Sequence, residues 1–197
     1  FYGTSLHIAC DDNNIELVKL LLDAGADMEI KDVSSNTALA NALMAGYEEL
    51  AHLLLSRGAD IHEIGVHRST ALHQACICCS AGMITFLINE GLDVNALASD
   101  KRSALLYTKG TSGGNVEAAK VLLANGIEKE HLTPAFKDAC WRGNPDIAKL
   151  LLEHGADKNV ILGKTGKKPE TLFWICSSGT YLPEIRQRYA TVIKLLK

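Results

Sequence analysis

The stretch Thr4-Ser5-Leu6-His7-Ile8-Ala9 is the first copy of a motif that recurs in a fixed register. It returns at intervals of 33 residues as Thr37-Ala38-Leu39-Ala40, Thr70-Ala71-Leu72-His73 and Ser103-Ala104-Leu105-Leu106. A second motif, preceded each time by an apolar run, occurs at a similar period as Gly25-Ala26-Asp27, Gly58-Ala59-Asp60 and Gly155-Ala156-Asp157. Two motifs that recur in phase indicate a repeat architecture, in which each repeat is one small structural unit.

One unit can be interpreted from its local signals. Thr4 is a favourable N-cap, and we expect a first helix from there to about Asp12. Asn13 tolerates the left-handed backbone conformation with which helices end. A second helix is expected to begin near Glu16, whose carboxylate suits a helix N-terminus, and to end at Gly25. The unit is therefore predicted to be a pair of short helices.

The two motifs resemble those of the ankyrin repeat family, which has a period of about 33 residues and the signature Thr-Pro-Leu-His-x-Ala. The resemblance implies an all-α ankyrin-repeat solenoid of about six helix-turn-helix units joined by hairpin-like fingers, with contacts between neighbouring units only. We expect a single domain over residues 1–197, as part of a longer protein, with units at about 1–32, 33–65, 66–98, 99–129, 130–160 and 161–197.

Three units are expected to depart from the pattern, and the sixth is the least regular, with an enlarged finger at residues 163–169 and a break at residues 179–183. Residues 110–114 add a glycine-rich segment between the helices of the fourth unit. The segment Leu132-Thr133-Pro134 follows Gly126 so closely that the finger of the fifth unit is predicted to be truncated.

Composition excludes several protein classes. The 197 residues are 47% hydrophobic and carry a net charge of -3, which does not suit a disordered chain. No apolar run is long enough to span a bilayer, so no membrane insertion is expected. The charge is uneven: residues 1–63 sum to -8, residues 64–136 to zero and residues 137–197 to +5. In a solenoid this distribution makes a polarised rod.

The six cysteines raise the question of a metal site. Cys76, Cys78 and Cys79 resemble half of a zinc site, but no second pair of ligands exists. Cys10, Cys76 and Cys140 share one place in their units, which the resemblance assigns to a small buried residue, whereas Cys78 is expected to be exposed. Unpaired cysteines indicate a reducing compartment, so we expect an intracellular protein, cytoplasmic or nuclear.

No pattern points to catalysis, a cofactor or a metal. Gly163-Lys164-Thr165 lacks the earlier glycine of a phosphate-binding loop, because Lys158 occupies that place. The resemblance implies structural roles for His7 and His73. His62, His67 and His131 are expected to lie in fingers and face water. We therefore expect neither enzymatic activity nor a bound cofactor.

Asn95 and Asn159 each lie four residues after a glycine that ends a second helix. The resemblance implies that asparagines at this place can be hydroxylated. A plain structural role in the turn is the favoured alternative, and the sequence does not decide between them.

The resemblance implies a concave groove formed by the fingers and the first helices. Met44, Ile77 and Trp141 are apolar at groove positions, although Trp141 could instead pack against a neighbouring finger. The candidate contact residues are Asp11, Asp12, Val33, Asn36, Met44, Val66, His67, Ile77, Cys78, Arg102, Trp141 and Arg142.

We interpret the chain as a monomeric protein-interaction scaffold that binds a partner protein or peptide along this groove. The alternative is a non-catalytic substrate-targeting or regulatory arm of a larger enzyme or effector. Binding of nucleic acid or lipid headgroups through the basic cluster is ranked below both, because no aromatic residues accompany Lys158, Lys164, Lys167 and Lys168. The charge gradient further predicts that the basic part of the partner lies near Asp11, Asp12 and Asp32.

Overall fold

The computed structural model describes residues 3–62, 64–108, 115–157 and Thr191. Within these residues the chain forms nine α-helices, two short 3₁₀ helices and no β-strand. The α-helices are α1 Ser5–Asp11, α2 Ile15–Asp23, α3 Ala38–Ala45, α4 Glu48–Ser56, α5 Ala71–Cys78, α6 Ala81–Asn89, α7 Val116–Ala124, α8 Lys129–Trp141 and α9 Pro145–Glu153. The 3₁₀ helices are Val66–Arg68 and Ala104–Tyr107.

The helices form two rows. The inner row stacks α1, α3, α5, the 3₁₀ helix Ala104–Tyr107 and α8 on one another in chain order. Each member also packs against the helix that comes after it, so α2, α4, α6, α7 and α9 form the outer row. No single pair could bury its apolar side alone, and stacking the pairs produces the core. This is the predicted ankyrin-repeat solenoid, and the fold class is confirmed.

The helix ends match the sequence signals. Thr4 and Thr37 occupy the N-cap positions of α1 and α3, and the Thr37 hydroxyl accepts a hydrogen bond from the Ala40 backbone N–H at 3.3 Å. Asn13 has a φ of 50°, and Gly46 has a φ of 75° at the equivalent place between α3 and α4. Both positions lie in the left-handed region, which allows the chain to reverse between the two helices of a unit.

The core includes the cysteines that share the repeat register. Cys10, Cys76 and Cys140 are at most 1% exposed, as predicted. Burial raises the pKa of the Cys10 and Cys140 thiols to about 12, so both remain protonated at neutral pH. They therefore act as small apolar side chains and do not supply nucleophiles.

The fingers are short hairpin turns at regular spacing. Ser35, Arg68 and Lys101 are 33 residues apart and have φ values of 62°, 53° and 62°. The first turn is closed by a hydrogen bond from Asp32 N to Asn36 O at 2.8 Å. The third is closed in the same way, by Ala98 N and Arg102 O at 2.9 Å. The first and third fingers thus repeat one backbone geometry, whereas the second closes through Ile64 N and Ser69 O at 3.0 Å and has positive φ at both His67 and Arg68.

The predicted truncation of the fifth finger is confirmed, but it has a further effect. Helix α8 begins at Lys129, three residues after Gly126, and extends over 13 residues with Pro134 inside it. The expectation that His131 lies in a finger and faces water is therefore wrong: His131 belongs to α8 and is 8% exposed. A finger is replaced here by an additional helical turn.

Some sequence features fall outside the described residues. These are the glycine-rich segment 110–114, the enlarged finger and the break of the sixth unit, the Gly163-Lys164-Thr165 segment, Asn159 and the basic cluster from Lys158 onward. None of the described helices is both long and apolar enough to cross a membrane.

Candidate binding surface

Four inner-row residues occupy equivalent places, each directly after a buried core residue. They are Asp11, Met44, Ile77 and Trp141, which come after Cys10, Leu43, Cys76 and Cys140. Trp141 is 64% exposed and Met44 is 38% exposed, whereas Ile77 is half-buried. The structure thus brings three of the predicted apolar contact residues, and one acidic residue, to the same face of the inner row.

The fingers add further predicted residues beside this row. Val33 is 72% exposed at the first finger, and His67 is exposed at the second, where its φ is 57°. The backbone of Val66 lies in the same 3₁₀ turn. Arg102 is exposed at the third finger and forms an ion pair with Asp100 at 3.3 Å. The three fingers therefore add an exposed valine, an exposed histidine and an ion-paired arginine beside the inner row.

The remaining predicted residues lie at the ends of inner-row helices. Asp12 is the exposed C-cap of α1, and Cys78 is the exposed last residue of α5. Arg142 is exposed directly after α8, where its Nε atom donates to Asp138 Oδ2 at 2.7 Å. Arg142 is therefore partly neutralised by its own helix.

The prediction that Asn36 lines the groove is wrong as far as its side chain is concerned. Asn36 is only 5% exposed, because it lies where the finger returns to α3. Its backbone N–H donates to Asp32 Oδ1 at 2.9 Å, and its carbonyl oxygen contacts His7 Nε2 at 3.1 Å. Asn36 therefore supports the first finger from inside.

The two motif histidines connect neighbouring units, as the resemblance implied. Thr70 N donates to His73 Nδ1 at 3.2 Å, so the ring proton must be on Nε2, which lies 3.2 Å from Arg102 O. His7 repeats this arrangement with Thr4 and with the carbonyl of the first finger. Burial lowers the pKa of His73, which favours the neutral ring that this hydrogen-bond pattern requires.

An acidic groove lies between α1 and the first finger. Its volume is about 210 Å³, and its lining includes Ile8, Asp11, Asp32, Val33 and Ser34. We call it the α1 groove. The sequence analysis did not name Ile8, which is 43% exposed and lies one helical turn before Asp11. Its position could have been inferred from that of Asp11, because residues three apart on a helix share a face.

A second groove lies on the outer row, and the sequence did not indicate it. It has a volume of about 580 Å³ and lies between α4, α6 and the loop after α4. The rings of His52 and Phe86 meet edge to face there, with centroids 4.9 Å apart. It is open and of mixed polarity, and none of the predicted contact residues line it.

Metal and modification sites can be assessed in the same residues. Glu128, Glu130 and His131 form the metal-ligand cluster found in the described part of the chain, with ligand atoms within 4.8 Å of one another. Two of these residues are exposed acids, and such groups commonly lie together without an ion. Asn95 donates to Gly126 O at 3.2 Å and accepts from Glu128 N at 2.8 Å, so its side chain joins two units.

Comparison with known proteins agrees with this geometry. The family description "Ankyrin repeats (3 copies)" matches residues 2–65 and 72–161. The chain belongs to the ankyrin repeat family. A similar solved structure is the crystal structure of the human ASB11 ankyrin repeat domain, with a TM-score of 0.67 and 27% sequence identity. That match covers 79% of this chain and 71% of the other. Comparison with curated proteins gives no significant match.

Membership of the ankyrin repeat family indicates a general role. Ankyrin repeats are generally protein–protein interaction modules, and ankyrin repeat domains are typically non-catalytic scaffolds.

Proposed function

We propose that this chain is a protein-interaction scaffold that binds a segment of a partner protein along the inner row and its fingers. The observation that carries the proposal is the apolar side chain at equivalent, solvent-accessible places of α3, α5 and α8. Met44 and Trp141 are exposed there.

The composition of this surface supports the proposal. Trp and Arg are enriched among residues that dominate binding energies, and Trp141 lies beside Arg142 at the end of α8. Exposed apolar residues that line up along one face are typical of contact surfaces, whereas single ones are ordinary. The outer row also exposes apolar residues, among them Leu17 and Leu20 on α2, and these supply a comparison within the same molecule.

The test is a pair of double variants measured against the native partner. The partner is obtained by affinity capture on the whole chain, identified, and then purified. We expect Met44→Ala with Trp141→Ala to weaken its affinity by tenfold or more, because truncation of a contact residue of this kind costs about 1–2 kcal/mol. Isothermal titration calorimetry measures the change.

The matched control is Leu17→Ala with Leu20→Ala, which removes exposed apolar groups from the outer row. We expect this control to bind as the wild type does. Wild-type affinity of the inner-row variant, or an equal loss in the control, would contradict the proposed surface.

A further inference from the structure

The α1 groove combines acidic groups with apolar walls. Asp11 and Asp32 carry its carboxylates, and Ile8 and Val33 are 43% and 72% exposed beside them. At about 210 Å³ the groove is smaller than the roughly 300–1,000 Å³ typical of sites for small molecules, and it suits a single side chain.

The two carboxylates are held in place from within the protein. Asn41 Nδ2 donates to Asp11 Oδ1 at 3.3 Å and to Asp32 Oδ2 at 3.4 Å, so one amide nitrogen draws both acids together. Asp32 Oδ1 also accepts from Ser34 N at 2.8 Å. These contacts position the acids, and they supply no opposite charge.

In the described part of the chain, no lysine or arginine forms an ion pair with Asp11 or Asp32. The ion pairs found there involve other acids, such as Asp23 with Arg57 and Glu16 with Lys19. Two nearby negative charges repel each other, and a cation with several hydrogen-bond donors relieves that repulsion. The first two units, in which residues 1–63 sum to -8, add to the attraction for positive charge.

We propose that the α1 groove is the binding site for one arginine side chain of the partner segment. This inference rests on the proposed function and names the partner's chemistry at one end of the surface. The flat guanidinium donates to the two carboxylates at once, and its methylene stem packs between Ile8 and Val33. A lysine ammonium is a compact point charge and matches this pair of acceptors less well.

The experiment uses a defined probe and does not depend on the native partner. The probe is the end-blocked pentapeptide acetyl-Val-Ala-Arg-Ala-Val-amide, titrated into the whole ¹⁵N-labelled chain and followed by NMR. We expect shifts confined to the amides around Ile8, Asp11 and Ser34. Replacing the arginine by citrulline, which has the same shape without the charge, should weaken binding threefold or more, and lysine should also weaken it.

Variants test the same contacts from the protein side. Asp11→Asn should weaken the arginine probe about threefold to fivefold, because an exposed charge pair is of that strength and the asparagine can still accept from Asn41. Asn41→Ala removes the amide that positions both carboxylates and should also weaken binding. Glu16→Gln, which removes the same charge from the outer row, should leave it unchanged.

The outcomes separate this inference from the proposed function. Equal binding of the arginine, lysine and citrulline probes, or shifts elsewhere on the chain, would overturn the assignment of the α1 groove. That result would leave the Met44 and Trp141 experiment unaffected. Conversely, a failure of the inner-row variant to weaken partner binding would overturn the proposed function while the peptide titration still reported on the groove.

Discussion

A single histidine links the chemistry of one side chain to the stability of the solenoid. His73 is fully buried, accepts a hydrogen bond from Thr70 N through Nδ1, and contacts the carbonyl of Arg102 through Nε2. Its ring also meets Tyr107 edge to face, with centroids 5.1 Å apart. A proton on Nδ1 would face the Thr70 N–H, so protonation breaks this capping hydrogen bond at the start of α5.

This geometry predicts a pH dependence of stability. The pKa of His73 is lowered from 6.5 in the folded protein, so below pH 6.5 the unfolded chain binds the proton more readily. The stabilising contribution is complete above pH 6.5 and is lost as the pH falls below it, by at most about 1.4 kcal/mol per pH unit. Urea unfolding at pH 7.5 and pH 5.5 measures the difference.

Two variants distinguish the contribution of His73 to this pH dependence from that of other titrating groups. His73→Gln should be less stable at pH 7.5 but should lose less stability than the wild type on acidification. His62→Gln removes a histidine from an exposed place and is the matched control. Parallel losses in the wild type and in His73→Gln would show that another group carries the pH dependence.

At the scale of a secondary-structure element, α8 shows the effect of omitting a finger. The chain passes from Gly126 to a helix start at Lys129, so Pro134 lies at the sixth position of α8 rather than in its first turn. Proline there cannot donate to the carbonyl of Glu130, and its ring crowds that carbonyl. In α9, by contrast, Pro145 occupies the first position, where its fixed φ suits the helix.

Replacing each proline by alanine is therefore predicted to change the stability of the protein in opposite directions at the two positions. Pro134→Ala should raise the free energy of unfolding by about 1–2 kcal/mol, because it restores a helical hydrogen bond, with part of the gain offset by a more flexible unfolded chain. Pro145→Ala should leave stability unchanged or slightly lower. Chemical denaturation with urea measures both, and a destabilised Pro134→Ala protein would contradict this account of α8.

The sequence is sufficient for the parts of the fold that repeat. Helix caps such as Thr4 and Thr37 follow from local chemistry, and the burial of Cys10 follows from the repeat register. The sequence is insufficient where two regular elements compete for the same residues: the pattern predicts a finger at His131, yet this residue belongs to α8 because no hairpin fits after Gly126. The prediction for Asn36 fails for a related reason, since a finger residue can point inward where the chain returns to a helix.

The candidate site could be predicted only in part. Register alone located Met44 and Trp141, because each comes directly after a core residue of the repeat. The α1 groove required the first finger to be folded beside α1, which brings Asp32 and Val33 next to Ile8. Contacts of that kind join residues distant along the chain, and a repeat pattern does not specify them.

At the scale of the whole molecule, the stacking order places the acidic side chains of the first two units at one end of the inner row. Residues 1–63 form the acidic end, and Asp11 and Asp12 are exposed there at the end of α1. Surface charge of one sign accelerates the encounter with an oppositely charged partner and is screened by salt. The acidic end should therefore govern how fast the partner binds more than how tightly.

This predicts a kinetic effect of charge reversal. Asp11→Lys with Asp12→Lys should lower the association rate constant for the purified partner by about tenfold at low ionic strength, and much less at high salt. Stopped-flow fluorescence of the whole chain measures it. Glu16→Lys with Glu49→Lys makes the same change of charge on the outer row. An equal slowing in that control would assign the effect to net charge alone.

The absence of a finger before α8 also limits the length of the inner row that the first three fingers flank. Three fingers, with tips at Ser35, Arg68 and Lys101, flank the inner row, and within residues 115–157 no finger separates Gly126 from α8. Packed helices are spaced about 8–10 Å apart, so the flanked length between the first and third fingers is about 16–20 Å. An extended strand advances about 3.3 Å per residue, so this length would hold about five to six residues of the proposed partner segment. The segment proposed to bind would therefore have about five to six residues between the fingers, and the residues after them would reach Trp141 on α8.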